Sequence, residues 1–204
     1  DGSETLLRCM KRKHEMQFGA ECLPDGVRFR LWAPQASRAS LFLHGDDIDV
    51  PMASMGEGWF ELTSGAHAGA RYQFRINDDQ LVPDPSSRFQ PEGVHGSSEV
   101  IDPHSYDWSD ANWRGRPWEE AVLYELHVGT FTPDGTFAAA EKKLDYLADL
   151  GITAVELMPL SSFPGMRNWG YDGVLPFAPS IAYGRPDELK HLIDAAHSKN
   201  LMVF

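Results

Sequence analysis

Four side chains in the second half of the chain are of types that do chemistry. Glu125 and Glu156 each sit in the middle of an apolar run, Val122 to Val128 and Ile152 to Met158. Two carboxyl groups held close together can serve as nucleophile and as general acid or base, but nothing in the spacing shows that these two converge. Tyr171 and Asp172 belong to the run Trp169-Gly170-Tyr171-Asp172-Gly173. A tyrosine there offers a ring face for stacking and a polar hydroxyl. Asp172 can accept hydrogen bonds from a ligand or hold its own loop. Trp169 reads as a loop anchor. The eight histidines do not cluster. His191 and His197 are six residues apart, which does not place them on one helix face. His127 reads as a satisfied interior residue rather than a ligand. Cys9 and Cys22 lack metal-ligand spacing, and no HExxH, EF-hand, P-loop, GxGxxG or GxSxG pattern occurs. The expectation is no metal and no cofactor.

The elements that must position these residues follow from periodicity. Val122 to Val128 reads as a strand, Phe137 to Leu150 as a helix, and Ile152 to Met158 as a second strand. Strand, helix and strand in that order imply two parallel strands and a right-handed crossover. Thr136 suits an N-cap. Phe137, Ala140, Leu144, Leu147 and Ala148 make one apolar face, and Gly151 can end the helix in the left-handed region. A second helix starts near Pro186, with Asp187 and Glu188 favourable in its first turn. Leu189, Leu192, Ile193 and Ala196 form its buried stripe, and Leu201 to Phe204 begins a third buried strand.

Upstream, residues 17 to 101 read as all-β. Val27 to Leu31 and Tyr72 to Ile76 alternate apolar and polar, the period of half-buried strands. Short strands at regular spacing suggest a β-sandwich. Trp32 is expected in its core. Residues 82 to 98, rich in Pro, Gly and Ser, read as an irregular surface segment. Residues 102 to 118 carry Tyr106, Trp108, Trp113 and Trp118, too aromatic for a flexible linker, and are expected to dock against both neighbours.

The 204 residues carry a net charge of -12, and 42% are hydrophobic. That is a globular composition. With no basic run beyond Lys11-Arg12-Lys13, neither nucleic acid nor an anionic membrane is an expected partner. No apolar run approaches the length of a membrane span. Two cysteines and no apolar leader at the start point to a reducing cytoplasm.

Several motifs together resemble the α-amylase superfamily, glycoside hydrolase family 13. Tyr124-Glu125-Leu126-His127-Val128-Gly129-Thr130-Phe131 looks like its first barrel strand. Gly151 to Pro159 looks like its second, and Trp169-Gly170-Tyr171-Asp172 like the loop beyond it. The run from Pro83 to Gly96 and the upstream β-region are similar to the sandwich that precedes the barrel in one branch of the family. The resemblance implies an immunoglobulin-like β-sandwich (17-101) after a leader (1-16), an aromatic linker (102-118), and the first part of a (β/α)8 barrel (119-204) that stops in strand three. It implies an α-1,4-glucan as substrate, specifically maltooligosyl trehalose, with glucan branching or simple glycogen binding as the rivals. Tyr171 matches the family tyrosine that stacks on the sugar beside the cleaved bond, and Asp172 follows it. The family's nucleophile and acid/base lie after strands four and five, so the resemblance places no catalytic carboxylate here. One or both of Glu125 and Glu156 then read as pointing into the barrel interior and hydrogen-bonding there. Gln80-Leu81 stand where glycogen-binding relatives carry a tryptophan, which favours a spacer role for the sandwich. An open third strand leaves an apolar sheet edge. The chain alone is therefore expected to be inactive, and to self-associate, to be partly disordered after about Pro159, or to be part of a longer protein.

Overall fold

The computed structural model describes residues 16–45 and 47–204. Apart from Met16, which is buried, the expected leader lies outside the described residues, and so does Cys9.

The first half is a β-sandwich. One antiparallel sheet has the order β1 (Gly19–Leu23), β2 (Gly26–Trp32), β6 (Trp59–Ser64), β5 (Ala53–Gly56). The other has the order β4 (Ile48–Pro51), β3 (Ala39–Leu43), β7 (Arg71–Ile76), β8 (Gln80–Val82), with β9 (Ser98–Glu99) also paired to β7. The inward positions of both sheets meet: Val27, Phe29, Leu31 and Phe60 face Leu41, Tyr72 and Phe74. Phe29 and Tyr72 pack edge to face at 4.8 Å. Fully burying one such ring contributes about 1.5–3 kcal/mol.

Two expectations fail here. Trp32 is not in the core; it is 58% exposed. The alternation that buries Val27, Phe29 and Leu31 sends Arg28, Arg30 and Trp32 to the outer face. There the indole N–H donates to the Glu57 carbonyl at 3.2 Å. Nor is the segment 82 to 98 a surface loop, although it is irregular. Asp84, Ser87, Phe89, Gln90, Ser97 and Ser98 are buried. Several of its polar groups are satisfied locally, which helps the backbone leave water, although neither side-chain polar atom of Gln90 has a hydrogen-bond partner among the described residues. The Tyr72 hydroxyl donates to Asp84 at 2.6 Å, the Ser86 N–H donates to the same carboxylate at 2.7 Å, and the Ser87 hydroxyl donates to the Phe89 carbonyl at 2.9 Å.

The aromatic segment packs against the second half. Trp113 stacks on His197 at 4.7 Å. The backbone N–H of Ser109 donates to both oxygens of buried Asp194, at 3.0 and 3.2 Å. Trp108 and Trp118 keep exposed faces, and Trp118 meets Phe204 edge-on at 6.3 Å.

The second half is α/β. β10 (Leu123–Leu126), β11 (Ala154–Leu157) and β14 (Met202–Val203) form a parallel sheet in that order, as in the first three strands of a (β/α)8 barrel. The first strand is shorter than expected. It ends at Leu126, and a single helical turn, α1 (Val128–Phe131), follows with His127 at its N-cap. The expected helix is present in two pieces, α2 (Phe137–Glu141) and α3 (Leu144–Asp149). A tight bond from the Lys143 N–H to the Ala140 carbonyl, 2.9 Å, separates them. The start and stop are as read. Thr136 accepts from the Ala139 N–H, and Gly151 takes φ +92° while Ile152 N–H reaches back to the Leu147 carbonyl. After β11 come β12 (Ser161–Ser162), an antiparallel partner β13 (Leu175–Pro179), and α4 (Pro186–Ser198). Leu126, Val155, Phe137, Leu144, Leu147, Leu192 and Ala196 build the core between sheet and helices. Ile193, expected in the buried stripe, is only half-buried. With Leu157, Leu189, Val203 and Phe204 it lines an open apolar groove of about 440 Å³.

Candidate functional site

In a parallel αβ barrel the chemistry sits at the C-terminal ends of the strands. Here His127 directly follows β10, and beyond β11 the chain passes through β12 into the loop that carries Asn168 to Asp172. These residues therefore gather at one end of the sheet.

The loop between β12 and β13 is held from within. The Asn168 side-chain oxygen accepts the Gly170 N–H at 2.6 Å, an Asx turn. Its amide donates to Asp172 Oδ2 at 2.9 Å. Gly170 has φ +101°, and a Cβ there would stand 2.5 Å from the Pro159 carbonyl oxygen, so this position requires glycine. From outside, His127 Nε2 lies 2.7 Å from the Asn168 carbonyl oxygen and 3.1 Å from the Tyr183 hydroxyl. Burial raises the Tyr183 pKa, which keeps that hydroxyl protonated.

Tyr171, on this braced loop, is 71% exposed. Its ring is open to a ligand. Asp172 is exposed too, with one carboxylate oxygen engaged by Asn168. Trp169, expected to anchor the loop, is instead 68% exposed, and touches only the edge of the His127 ring at 5.7 Å among the aromatic contacts described. Asn168 and Tyr183 were not singled out by sequence. The signal for Asn168 was its place two residues before a loop glycine; Tyr183, with Gly184, resembles the family's run into the second helix but carried no sign of a role at the site.

Glu125 and Glu156 are brought together. They are direct register partners across β10 and β11, on the face opposite the helices, and both are exposed. Neighbouring strands are about 4.8 Å apart, so the two residues stand side by side on that face. The face is the one expected for barrel-interior residues; among the described residues neither carboxylate has a hydrogen-bond partner. Among the described residues no group of three or more His, Cys, Asp or Glu is placed to hold a metal ion, and no helix is long and apolar enough to cross a membrane.

Comparison with known proteins gives this end of the sheet a family. Residues 17–105 match Carbohydrate-binding module 48 (Isoamylase N-terminal domain), and residues 96–204 match Alpha amylase, catalytic domain. The second match covers more than half of the chain, and the chain belongs to the α-amylase family. It is 48% identical over 92% of its length to a malto-oligosyltrehalose trehalohydrolase from Deinococcus radiodurans, and 44% identical over 92% to one from Saccharolobus solfataricus. A 1,4-alpha-glucan branching enzyme from Vibrio parahaemolyticus is more distant, at 35% over 88%. A crystal structure of a Salmonella typhimurium protein assigned to the alpha amylases superposes with a TM-score of 0.90 at 50% identity, covering 93% of this chain and 32% of that one. The chain spans about a third of the length of the two trehalohydrolases, 31% and 33%, and 26% of the branching enzyme.

Proposed function

We propose that the protein to which this chain belongs hydrolyses the α-1,4 bond joining a maltodextrin to a terminal trehalose unit, releasing trehalose. The observation that carries the reading is the exposed ring of Tyr171 on a braced loop at the C-terminal end of the parallel strands. A glucose ring has an apolar face that an aromatic ring can cover, while its rim of hydroxyls demands acceptors. Tyr171 supplies the first and the second oxygen of Asp172 the second. The identity to two trehalohydrolases supports the choice of glucan.

The bond-breaking groups of a retaining glycosidase are two carboxyl groups about 5 Å apart, one protonating the leaving oxygen and one forming a covalent glycosyl-enzyme that water then opens. In this reading they lie on later barrel strands. This chain contributes binding and scaffold, and by itself is inactive. Glu125 and Glu156, mid-strand and side by side, are interior residues of the barrel wall. A reducing cytoplasm is the compartment that goes with this reading, two cysteines in 204 residues being too few for a disulfide framework.

The test is to incubate the full-length protein with maltooligosyl trehalose and measure free trehalose. Release of trehalose supports the reading. A changed iodine stain on amylose with no trehalose released assigns the protein to glucan branching instead.

A further inference from the structure

We infer that His127 is a positioning residue for the sugar-contacting loop, acting through one hydrogen bond from Nε2 to the Asn168 backbone carbonyl. The inference rests on the reading of Tyr171 given above.

The proton on the imidazole can be placed from its neighbours. A carbonyl oxygen only accepts, so at 2.7 Å from the Asn168 oxygen Nε2 carries the hydrogen. Nδ1 lies 3.2 Å from the Thr130 hydroxyl oxygen, whose own proton also reaches the His127 carbonyl at 3.4 Å. The Tyr183 oxygen, 3.1 Å from Nε2, shares the same N–H. Both ring nitrogens are thus engaged, and the ring has one orientation.

That orientation is aimed at the loop. Asn168 is the residue whose side chain organises Gly170 and Asp172. Its carbonyl lies one residue before Trp169 and three before Tyr171. The ring edge of His127 also meets Trp169. A close approach at Gly129 makes room for the arrangement: a Cβ there would stand 2.9 Å from His127 Cε1 and 3.0 Å from Tyr183 Cε1. The end of the first strand is therefore bonded to the loop after the second across a separation of 41 residues. A loop fixed before the sugar arrives loses less conformational entropy on binding.

The experiment uses the full-length protein and maltooligosyl trehalose. Glutamine at position 127 can place an N–H where Nε2 stands; phenylalanine keeps a flat ring and removes the donor. His127→Gln should leave KM within about threefold of wild type, whereas His127→Phe should raise it about tenfold with kcat changed far less, the pattern of lost ground-state binding. Because His127 acts through the loop, His127→Phe should add little to KM in a Tyr171→Ala background. If packing is what matters, the order reverses, with His127→Phe near wild type and His127→Gln impaired, and the inference is overturned. If His127→Phe does not fold, His127→Ala removes the same donor without adding bulk; a KM within about threefold of wild type there overturns it equally. Should Tyr171→Ala itself leave KM and kcat unchanged, the reading of the loop as the sugar site is what fails.

Discussion

Glu99, on the last short strand of the sandwich, forms an ion pair with Arg185, the residue that opens α4 in the α/β half. The Arg185 guanidinium also lies 4.6 Å over the ring of Phe89, and Arg71 reaches the second oxygen of Glu99 at 3.2 Å. Together with Phe18 against Phe177 at 5.7 Å, this bonds the sandwich to the barrel portion. The Glu99 side chain is only 7% exposed, while that of Arg185 is 47% exposed. Removing the carboxylate takes the partner from Arg185 and leaves Arg71 with Glu92 alone, at 3.5 Å.

Glu99→Ala should therefore destabilise the protein by about 2–3 kcal/mol, below the full cost of breaking a buried pair because Arg185 is half in water. Arg185→Ala should cost less. Urea midpoints of the two variants and of their double mutant check this. A Glu99→Ala midpoint equal to wild type would mean the pair is incidental.

Asp84 gives a pH dependence of known sign. Complete burial raises its pKa from 3.8 to about 6, against the lowering effects of the Tyr72 hydroxyl, the Ser86 N–H and Arg88. The folded state therefore binds the proton more tightly than the unfolded chain does. Its contribution to stability is fully present below pH 4 and is lost as pH rises towards 6. Relative to Asp84→Asn, the wild type should lose stability across that interval and run parallel above it. Unfolding free energies of both proteins at pH 4, 5, 6 and 7 decide the matter; a wild-type advantage that grows with pH would contradict it.

Asp194 ties the aromatic segment to α4. Asp194→Ala leaves the Ser109 N–H without its acceptor and removes the partner of the Tyr106 hydroxyl, 3.5 Å away. A loss of about 1–3 kcal/mol is expected, with faster proteolytic cleavage between residues 102 and 118. Limited proteolysis followed by mass spectrometry reads this directly.

Two aromatic residues on one strand should behave in opposite ways. Phe29 is fully buried and Trp32 is 58% exposed. Phe29→Ala should cost about 3–5 kcal/mol. Trp32→Ala should cost less than about 1 kcal/mol, its indole N–H having bonded only an exposed carbonyl. Thermal unfolding of the two variants makes the comparison.

What could be read from sequence was what is decided locally. Thr136 and Gly151 announced the ends of a helical stretch because capping depends on one or two residues. The break at Lys142 and Lys143 leaves the apolar stripe intact, so periodicity did not show it. Trp32 was legible and misread: the parity of its own strand already assigned it to the arginine face. The burial of residues 82 to 98 was hidden because polar composition was taken for exposure, when Asp84, Ser86 and Ser87 bond to partners in or beside the segment. Tyr171 and Asp172 were placed by resemblance. Their brace was not, since the bond from His127 to Asn168 joins residues far apart in the chain and depends on a register that no local pattern encodes. The same holds for the pairing of Glu125 with Glu156.

The central claim is that Tyr171 presents its ring to a glucan. The most direct measurement is kcat/KM for trehalose release from maltooligosyl trehalose by the full-length protein and by its Tyr171→Ala variant, with thermal unfolding as the check on folding. Losing one stacked ring should lower kcat/KM by about 10- to 100-fold, equivalent to about 1.4–2.7 kcal/mol, without lowering the melting temperature appreciably. A kcat/KM within twofold of wild type, in a folded variant, would contradict the account.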